Sequence, residues 1–228
     1  MHLSIRFIKL LFRFQKFIPV RNLLAKQFYK PEGLWGRIAV DFMAVANRPV
    51  YKWTIDLLEI KQTDFVLEIG FGHGIYIEKV AQLADLGFVA GVDFSQAMVK
   101  RAMHYNRHLI RHKKVEILQN GMQDIPYADA FFDCAFAVNV IYFWHTPENE
   151  LREMCRVLKP GGRAAFYFSH EDSLRQLPFT DNSLFRNFSC EEFTAIVKNA
   201  GFAQAICHTR IFQFKDAALE GHCVVAVK

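Results

Sequence analysis

Val66-Leu67-Glu68-Ile69-Gly70-Phe71-Gly72-His73-Gly74 is the stretch that decides the fold. Val66 to Ile69 reads as a short buried strand. The glycines that follow stand in a G-x-G-x-G spacing, and from Ile75 the pattern turns helical, with Ile75, Val80 and Leu83 apolar and Glu78 and Lys79 polar. Strand, glycine turn and helix open a nucleotide-binding βαβ unit. Glycine suits the turn because it lacks Cβ, so the backbone can bend tightly and a ligand can come close.

The kind of nucleotide follows from two departures. The dinucleotide fingerprint is G-x-G-x-x-G, and Ile75 stands where its third Gly would fall. Glu68 lies two residues before Gly70, at the end of the strand. A carboxylate there repels a pyrophosphate and suits a ligand carrying positive charge. S-adenosyl-L-methionine has an ammonium and a sulfonium and no phosphate. The competing reading is a tight βα turn with no ligand.

Composition bounds the rest. A chain of 228 residues with 23 Phe can bury a sizeable core. No apolar run reaches the ~20 residues of a membrane span, and charge interrupts the N-terminal stretch too often for a secretory signal. The five cysteines, Cys134, Cys155, Cys190, Cys207 and Cys223, are scattered without C-x-x-C. That pattern implies a reducing cytoplasm, with no disulfide frame and no zinc site. Cys134 and Cys223 lie in apolar runs and are assigned to the core. The net charge of +5 is local: seven of the 28 basic residues fall in residues 1–30, which hold no acid.

Residues 3–18 read as a basic amphipathic helix, with Arg6, Lys9, Arg13 and Lys16 on one face and Leu3, Phe7, Leu10, Leu11 and Phe14 opposite. Such a helix can lie on an anionic membrane surface, or pack on the body as a lid; a mitochondrial targeting segment is a third reading. Tyr51 to Ile60 reads as a helix covering the sheet, and Asn47 before it as a helix cap or a ligand-site residue. Phe88 to Val92 is a second buried strand ending in Asp93, 19 residues after Gly74. A carboxylate there can accept ribose hydroxyls, with Ser95 capping the helix Gln96 to Asn106 and Phe94 lying against a base. His104, His108 and His112 have i, i+4 spacing but no Cys or acid partner, so they are assigned to a solvated face. Val115 to Leu118 and Phe132 to Asn139 read as strands three and four. Glu148 to Leu158 is a helix stopped by Lys159-Pro160-Gly161-Gly162, with Lys159 on its dipole, and Arg163 to Ser169 is strand five. Ser189-x-x-Glu192 starts a helix, and Ala203 to Phe212 and His222 to Val227 form a closing hairpin around Lys215 to Gly221.

Four ordered segments resemble the class I S-adenosylmethionine-dependent methyltransferases: Val66 to Gly74, Val92-Asp93-Phe94-Ser95, Ile125-Pro126-Tyr127 followed by Phe132-Asp133, and Arg156-Val157-Leu158-Lys159-Pro160-Gly161-Gly162. The last is similar to the RVLKPGG motif of the branch acting on ubiquinone and menaquinone precursors, sterols and other small molecules. The resemblance covers residues 61–228 and leaves residues 1–60 as a helical extension and substrate cap. It implies an α/β, Rossmann-like fold: a seven-stranded, mostly parallel sheet with helices on both faces and the last strand antiparallel. It implies S-adenosylmethionine at the C-terminal strand ends. Carried over, Glu68, Gly70, Phe71, Gly72, His73 and Gly74 surround its methionine part, with Asn139 beside the amino group. Asp93 holds the ribose, Phe94 and Met98 flank the adenine, and Met122 and Gln123 lie at its polar edge. Family members commonly carry an acid where this chain has Gly121.

Methyl transfer from a sulfonium needs alignment above all, and a base only for acceptors of high pKa. Tyr142, His145 and His170 are the candidate bases, and each can equally be a wall residue. Asn139-Val140-Ile141-Tyr142 lacks the prolines of the Asn/Asp-Pro-Pro-Tyr motif, which argues against a DNA adenine or cytosine N4 as acceptor. With Asn47, Tyr142 and Trp144 as substrate residues, the apolar set favours a small or lipid-like acceptor. An RNA-directed enzyme and a non-catalytic S-adenosylmethionine-binding protein are the alternatives. The expected location is the cytoplasm, with peripheral membrane attachment through residues 3–18.

Overall fold

The computed structural model describes residues 46–144, 146–175, 185–214 and 217–228. The amphipathic stretch 3–18 and His145 lie outside them. Within them the chain forms α1 (Arg48–Leu58), β1 (Phe65–Ile69), α2 (Ile77–Leu83), β2 (Phe88–Asp93), α3 (Gln96–Tyr105), α4 (Arg107–Arg111), β3 (Val115–Gln119) and β4 (Phe132–Val138). A 3-10 turn at Ile141–Phe143 follows, then α5 (Pro147–Val157), β5 (Leu158–Ser169), α6 (Glu171–Arg175), α7 (Cys190–Asn199), β6 (Gln204–Phe214) and β7 (Ala217–Val227).

The strands form one seven-stranded sheet in the order β3-β2-β1-β4-β5-β7-β6. Only β7 runs against the rest, antiparallel to β5 and to β6. The central strands are apolar on both sides because helices cover both faces. Alternation along β1 divides the core: Leu67 and Ile69 face the layer of α5 and α7, with Leu151, Met154 and Phe193. Val66 faces the layer of α1, α2 and α3, with Leu58, Ile77 and Val99. Cys134 and Cys223 are fully buried, as their apolar surroundings imply.

The strand order reverses between β1 and β4, which places the glycine turn at the switch point where open α/β sheets bind ligands. Gly91 in β2 serves this turn from below: a Cβ there would lie 2.8 Å from the Phe71 ring and 2.9 Å from Ile77 Cδ1.

Four local expectations change. α5 does stop ahead of this segment, at Val157, but Lys159 to Gly162 belong to β5, which starts at Leu158 rather than Arg163 and whose pairing jumps from Phe132↔Leu158 to Cys134↔Arg163. Lys159 bonds both Asp133 carboxylate oxygens at 2.8 Å instead of serving the helix dipole, since a full carboxylate outweighs a partial charge. The closing hairpin has residues 215–216 between its strands rather than the longer loop from Lys215 to Gly221. And Cys190 and Cys207 form a disulfide with Cα atoms 6.1 Å apart, where the cysteine spacing suggested none. One sits on α7 and the other on β6, a pairing that only the folded layer reveals.

Arg156 explains part of the RVLKPGG segment. Its guanidinium bonds the carbonyls of Ile125 and Tyr127 and the side chains of Asp129 and Glu153, tying the loop after β3 to α5. Ser189 caps α7 as read, accepting from the Glu192 amide at 3.0 Å.

Gly91→Ala is expected to cost about 1–3 kcal/mol by overpacking against Phe71 and Ile77. Urea unfolding at unchanged m-value would show it; a loss below ~0.5 kcal/mol would mean that the turn has room to shift.

Candidate functional site

The glycine turn is built from left-handed backbone. Gly70, Gly72 and Gly74 have φ of 66°, 57° and 67°, which a side chain resists. Two of them are also spatially tight: a Cβ on Gly70 would meet Val140 at 2.5 Å, and one on Gly74 would meet Ala102 at 2.5 Å. Gly72 differs, with nothing within 4 Å of its Cβ direction. It faces open space at the strand ends, as a cradle approached by a ligand should.

The turn is fastened to its neighbours. Gly70 donates its amide to the Val92 carbonyl at 2.8 Å. Asp93 accepts from the Gly72 amide at 2.9 Å and from the Ser95 amide at 2.8 Å. Asn106 donates to the Gly74 carbonyl at 2.9 Å. Ser95 stands before α3 without a side-chain cap bond, so the capping role expected of it falls away; its amide serves Asp93 instead.

Glu68 carries the electrostatics. It is 1 % exposed. Oε1 accepts from the Tyr51 hydroxyl at 2.9 Å, while Oε2 is buried with no hydrogen-bond partner among the described residues. Burial drives its pKa up to about 8, against a lowering by the Tyr51 hydrogen bond and a further rise from Asp93. Asp93 is pushed up to about 6 by burial, opposed by the two amides. Two buried carboxylates without a cation are costly, and the cost is relieved by a positively charged ligand. The residues therefore fit S-adenosylmethionine: a cation-seeking acid, an open glycine and a second acid at the end of β2.

A second group meets across the end of β4. Asn139 adopts φ 57°, donates to Asn47 Oδ1 at 3.2 Å, and accepts from the Tyr142 hydroxyl at 3.0 Å. Tyr142 also accepts the Ser169 amide at 2.5 Å, and burial raises its pKa to about 12. Its hydroxyl is thus a positioning group, ill suited to take a proton at neutral pH. Asn47 has no side-chain cap bond on α1 and turns to Asn139 instead.

Other sequence-derived residues fall elsewhere. The Phe71 and Met98 side chains lie in the core beneath the turn, so Phe71 can offer a ligand only its backbone, and Met98 packs within the α1–α3 layer. Phe94 is 42 % exposed at the end of β2. Met122 packs against the opposite layer, and Gln123 donates to Glu150 at 3.5 Å. His73 is buried, its Nδ1 accepting from the Ile75 amide at 3.2 Å. Trp144 packs edge-on to Phe166, 6.2 Å between centroids, with a buried Nε1 that has no partner among the described residues. His170 is drawn to His222, 5.3 Å between rings, and its amide donates to the Glu220 carbonyl.

Sequence reasoning missed Tyr51 and Asn106. Both sit on or beside helices, and the nearest signal was a polar atom at a position that the apolar pattern buries.

The chain is similar to known proteins. Residues 67–166 match a methyltransferase domain family. An uncharacterized methyltransferase of Bacillus subtilis, YdaC, is 32% identical over 128 residues, 56% of this chain and 68% of that protein. The ubiquinone/menaquinone biosynthesis C-methyltransferase UbiE of Klebsiella pneumoniae is 31% identical over 125 residues, 54% of this chain and 50% of that protein. The structure superposes on a SAM-dependent methyltransferase from Aquifex aeolicus with a TM-score of 0.60 and 20% identity, covering 82% of this chain and 97% of that one.

A cationic ligand needs Glu68 ionised, and the unliganded carboxyl is mostly protonated below its pKa of about 8. Affinity for S-adenosylmethionine is therefore expected to rise by up to about tenfold per pH unit below that value and level off above it, with proton release on binding. Tyr51→Phe removes the one contact that lowers this pKa, so the midpoint should move upward. Calorimetry in buffers of different ionisation enthalpy reads both, and flat affinity with no proton release would remove Glu68 from the role.

Proposed function

The chain belongs to the class I S-adenosylmethionine-dependent methyltransferases, and from that premise we propose that it methylates a small, apolar or lipid-like acceptor by in-line displacement. The observation that carries the cofactor assignment to particular residues is the buried Glu68 with one unbonded oxygen, set behind the open Gly72.

In this reading Glu68 and Asn139 face the methionine ammonium, the Gly70 to Gly74 backbone follows its chain, and Asp93 accepts the ribose hydroxyls. Phe94 offers a ring to the adenine, with Met122 and Gln123 at its edge. The bound cofactor supplies a methyl group already activated on a sulfonium. What remains for the chain is to align the acceptor and keep water out. Asn139, pinned between Asn47 and Tyr142, fixes the wall after β4 where the acceptor would lie.

The quinone biosynthesis in which the UbiE relative acts supports an apolar acceptor, while Ile141 and Trp144 are themselves buried in the core. The basic, Phe-rich pattern of residues 3–18 supports collection of that acceptor at an anionic membrane surface, with residues 1–60 acting as its cap. No helix among the described residues is long and apolar enough to cross a membrane.

Calorimetric titration should give binding of S-adenosylmethionine and none of NADH. Asp93→Ala should weaken it by at least about tenfold, since it also strands two amides. Gly121→Asp places a Cβ where nothing lies within 4 Å and should tighten binding by up to about tenfold through one added charge-assisted hydrogen bond to the adenine amino group. Absence of S-adenosylmethionine binding would remove the catalytic reading. Failure of anionic vesicles to retain the full chain would remove the membrane one.

A further inference from the structure

On the far side of β5 from the glycine turn, four elements converge their metal-binding side chains. Cys190 opens α7, Cys207 lies on β6, His222 on β7 and His170 just after β5. The ligand atoms of Cys190, Cys207 and His222 lie within 4.8 Å of one another, and so do those of His170, Glu220 and His222. The two groups share His222. A tetrahedral zinc site spaces its donors by roughly 3.3–3.8 Å, so opening the disulfide would let the two sulfurs part around an ion beside His222, with His170 brought in from the second group by a turn of its ring. The His222 ring is already oriented. Its Nδ1 lies 2.9 Å from the Thr209 hydroxyl, the kind of outer contact that fixes a ligating imidazole. The ring is buried beside Phe168, 5.3 Å between centroids. The cysteines are half-buried and His170 is part-exposed, which leaves a path for an ion.

The geometry points to a Zn2+ site made by the Cys190 and Cys207 thiolates, His222 Nε2 and His170, open when the disulfide is reduced. Reduction takes two electrons and two protons from a dithiol, which becomes a disulfide in turn. The two thiols release those protons as the ion binds, and the thiolate pair neutralises its charge. Soft sulfur with imidazole selects zinc over calcium or magnesium. In either state α7 is clamped to the β6–β7 hairpin, by a covalent bond when oxidised and through the ion when reduced. His170 follows Ser169, whose amide holds Tyr142, so the reduced, zinc-bound form also fixes the end of β5. None of these four residues touches Glu68, Asp93 or the glycine turn, so the metal site stands whether or not the cofactor assignment does.

The test is anaerobic titration of the full chain, reduced and freed of reductant, with Co2+ and then Zn2+. One Co2+ per chain is expected, with tetrahedral d–d bands and a thiolate-to-metal charge-transfer band, displaced by Zn2+. The disulfide form should give neither band. Cys207→Ser and His222→Gln should each weaken binding by at least about tenfold and His170→Gln by about tenfold, while Cys155→Ser, on α5, should change nothing. Should Cys207→Ser or His222→Gln fail to fold, two readouts remain: His170→Gln at a part-exposed position, and the rise in melting temperature that Zn2+ should give the reduced wild-type chain alone. Absence of the charge-transfer band in the reduced chain, or a band of unchanged intensity and Co2+ affinity in Cys207→Ser, would overturn the site.

Discussion

Three left-handed glycines within five residues cannot hold their own shape, because glycine has no side chain to restrain the backbone and the turn's own side chains give it one bond among the described residues, from the Ile75 amide to His73 Nδ1. The surrounding structure supplies that restraint. Val92 takes the amide of Gly70, Asp93 that of Gly72, and Asn106 binds the carbonyl of Gly74. Val140 and Ala102 close the space above the outer glycines. Only with β1 and β2 in parallel register, Glu68 beside Gly91, do these partners arrive together. The Phe71 ring beneath the turn needs the missing side chain of Gly91 to fit. The turn thus depends on a residue of the neighbouring strand as much as on its own glycines.

The two ends of the sheet treat charge differently. At the N-terminal ends of the strands, Asp64 pairs with Arg163 and Asp133 with Lys159, each at 2.8 Å. Their carboxylates are compensated within the chain. At the C-terminal ends Glu68 and Asp93 are buried with only hydroxyl and amide donors, and both titrate far above the usual carboxylate range. A structural ion pair would have been the cheaper solution for the folded state. Its absence among the described residues supports the proposed use of this end of the sheet for a positively charged ligand, whose arrival would compensate the ionised carboxylates.

Much of this was legible because it is local. Val66 to Gly74, the acid ending β2 and the helix start at Ser189 each act within a few residues, so spacing alone exposes them. What spacing could not expose was partnership across the sheet. Lys159 reads as a helix-end cation until β5 brings it to Asp133. Phe71 and Met98 read as ligand contacts, and only the packed α1–α3 layer shows both side chains buried. Tyr51 reads as one more aromatic on an amphipathic helix until α1 lays its hydroxyl on Glu68, 17 residues away. Cys190 and Cys207 look unrelated among five scattered cysteines, and only the packing of α7 on the terminal hairpin joins them.

The polar groups near the end of β4 bear on how the chemistry can run. A general base must be able to give up its present partners and hold a proton near neutral pH. Tyr142 meets neither demand: its oxygen is taken by the Ser169 amide, its proton by Asn139, and burial holds its pKa at about 12. His170 Nδ1 accepts from the Asp172 amide with its ring beside His222, and the His73 ring nitrogen serves the turn itself. Among the described residues, the candidates for proton transfer are engaged in holding the frame. A displacement at an activated methyl asks for little more, provided the acceptor is already nucleophilic or ionises without help. In the proposed reading the hydrogen bonds that join Asn47, Asn139 and Tyr142 hold the wall beside the acceptor, and alignment is the means by which such a site would accelerate the transfer.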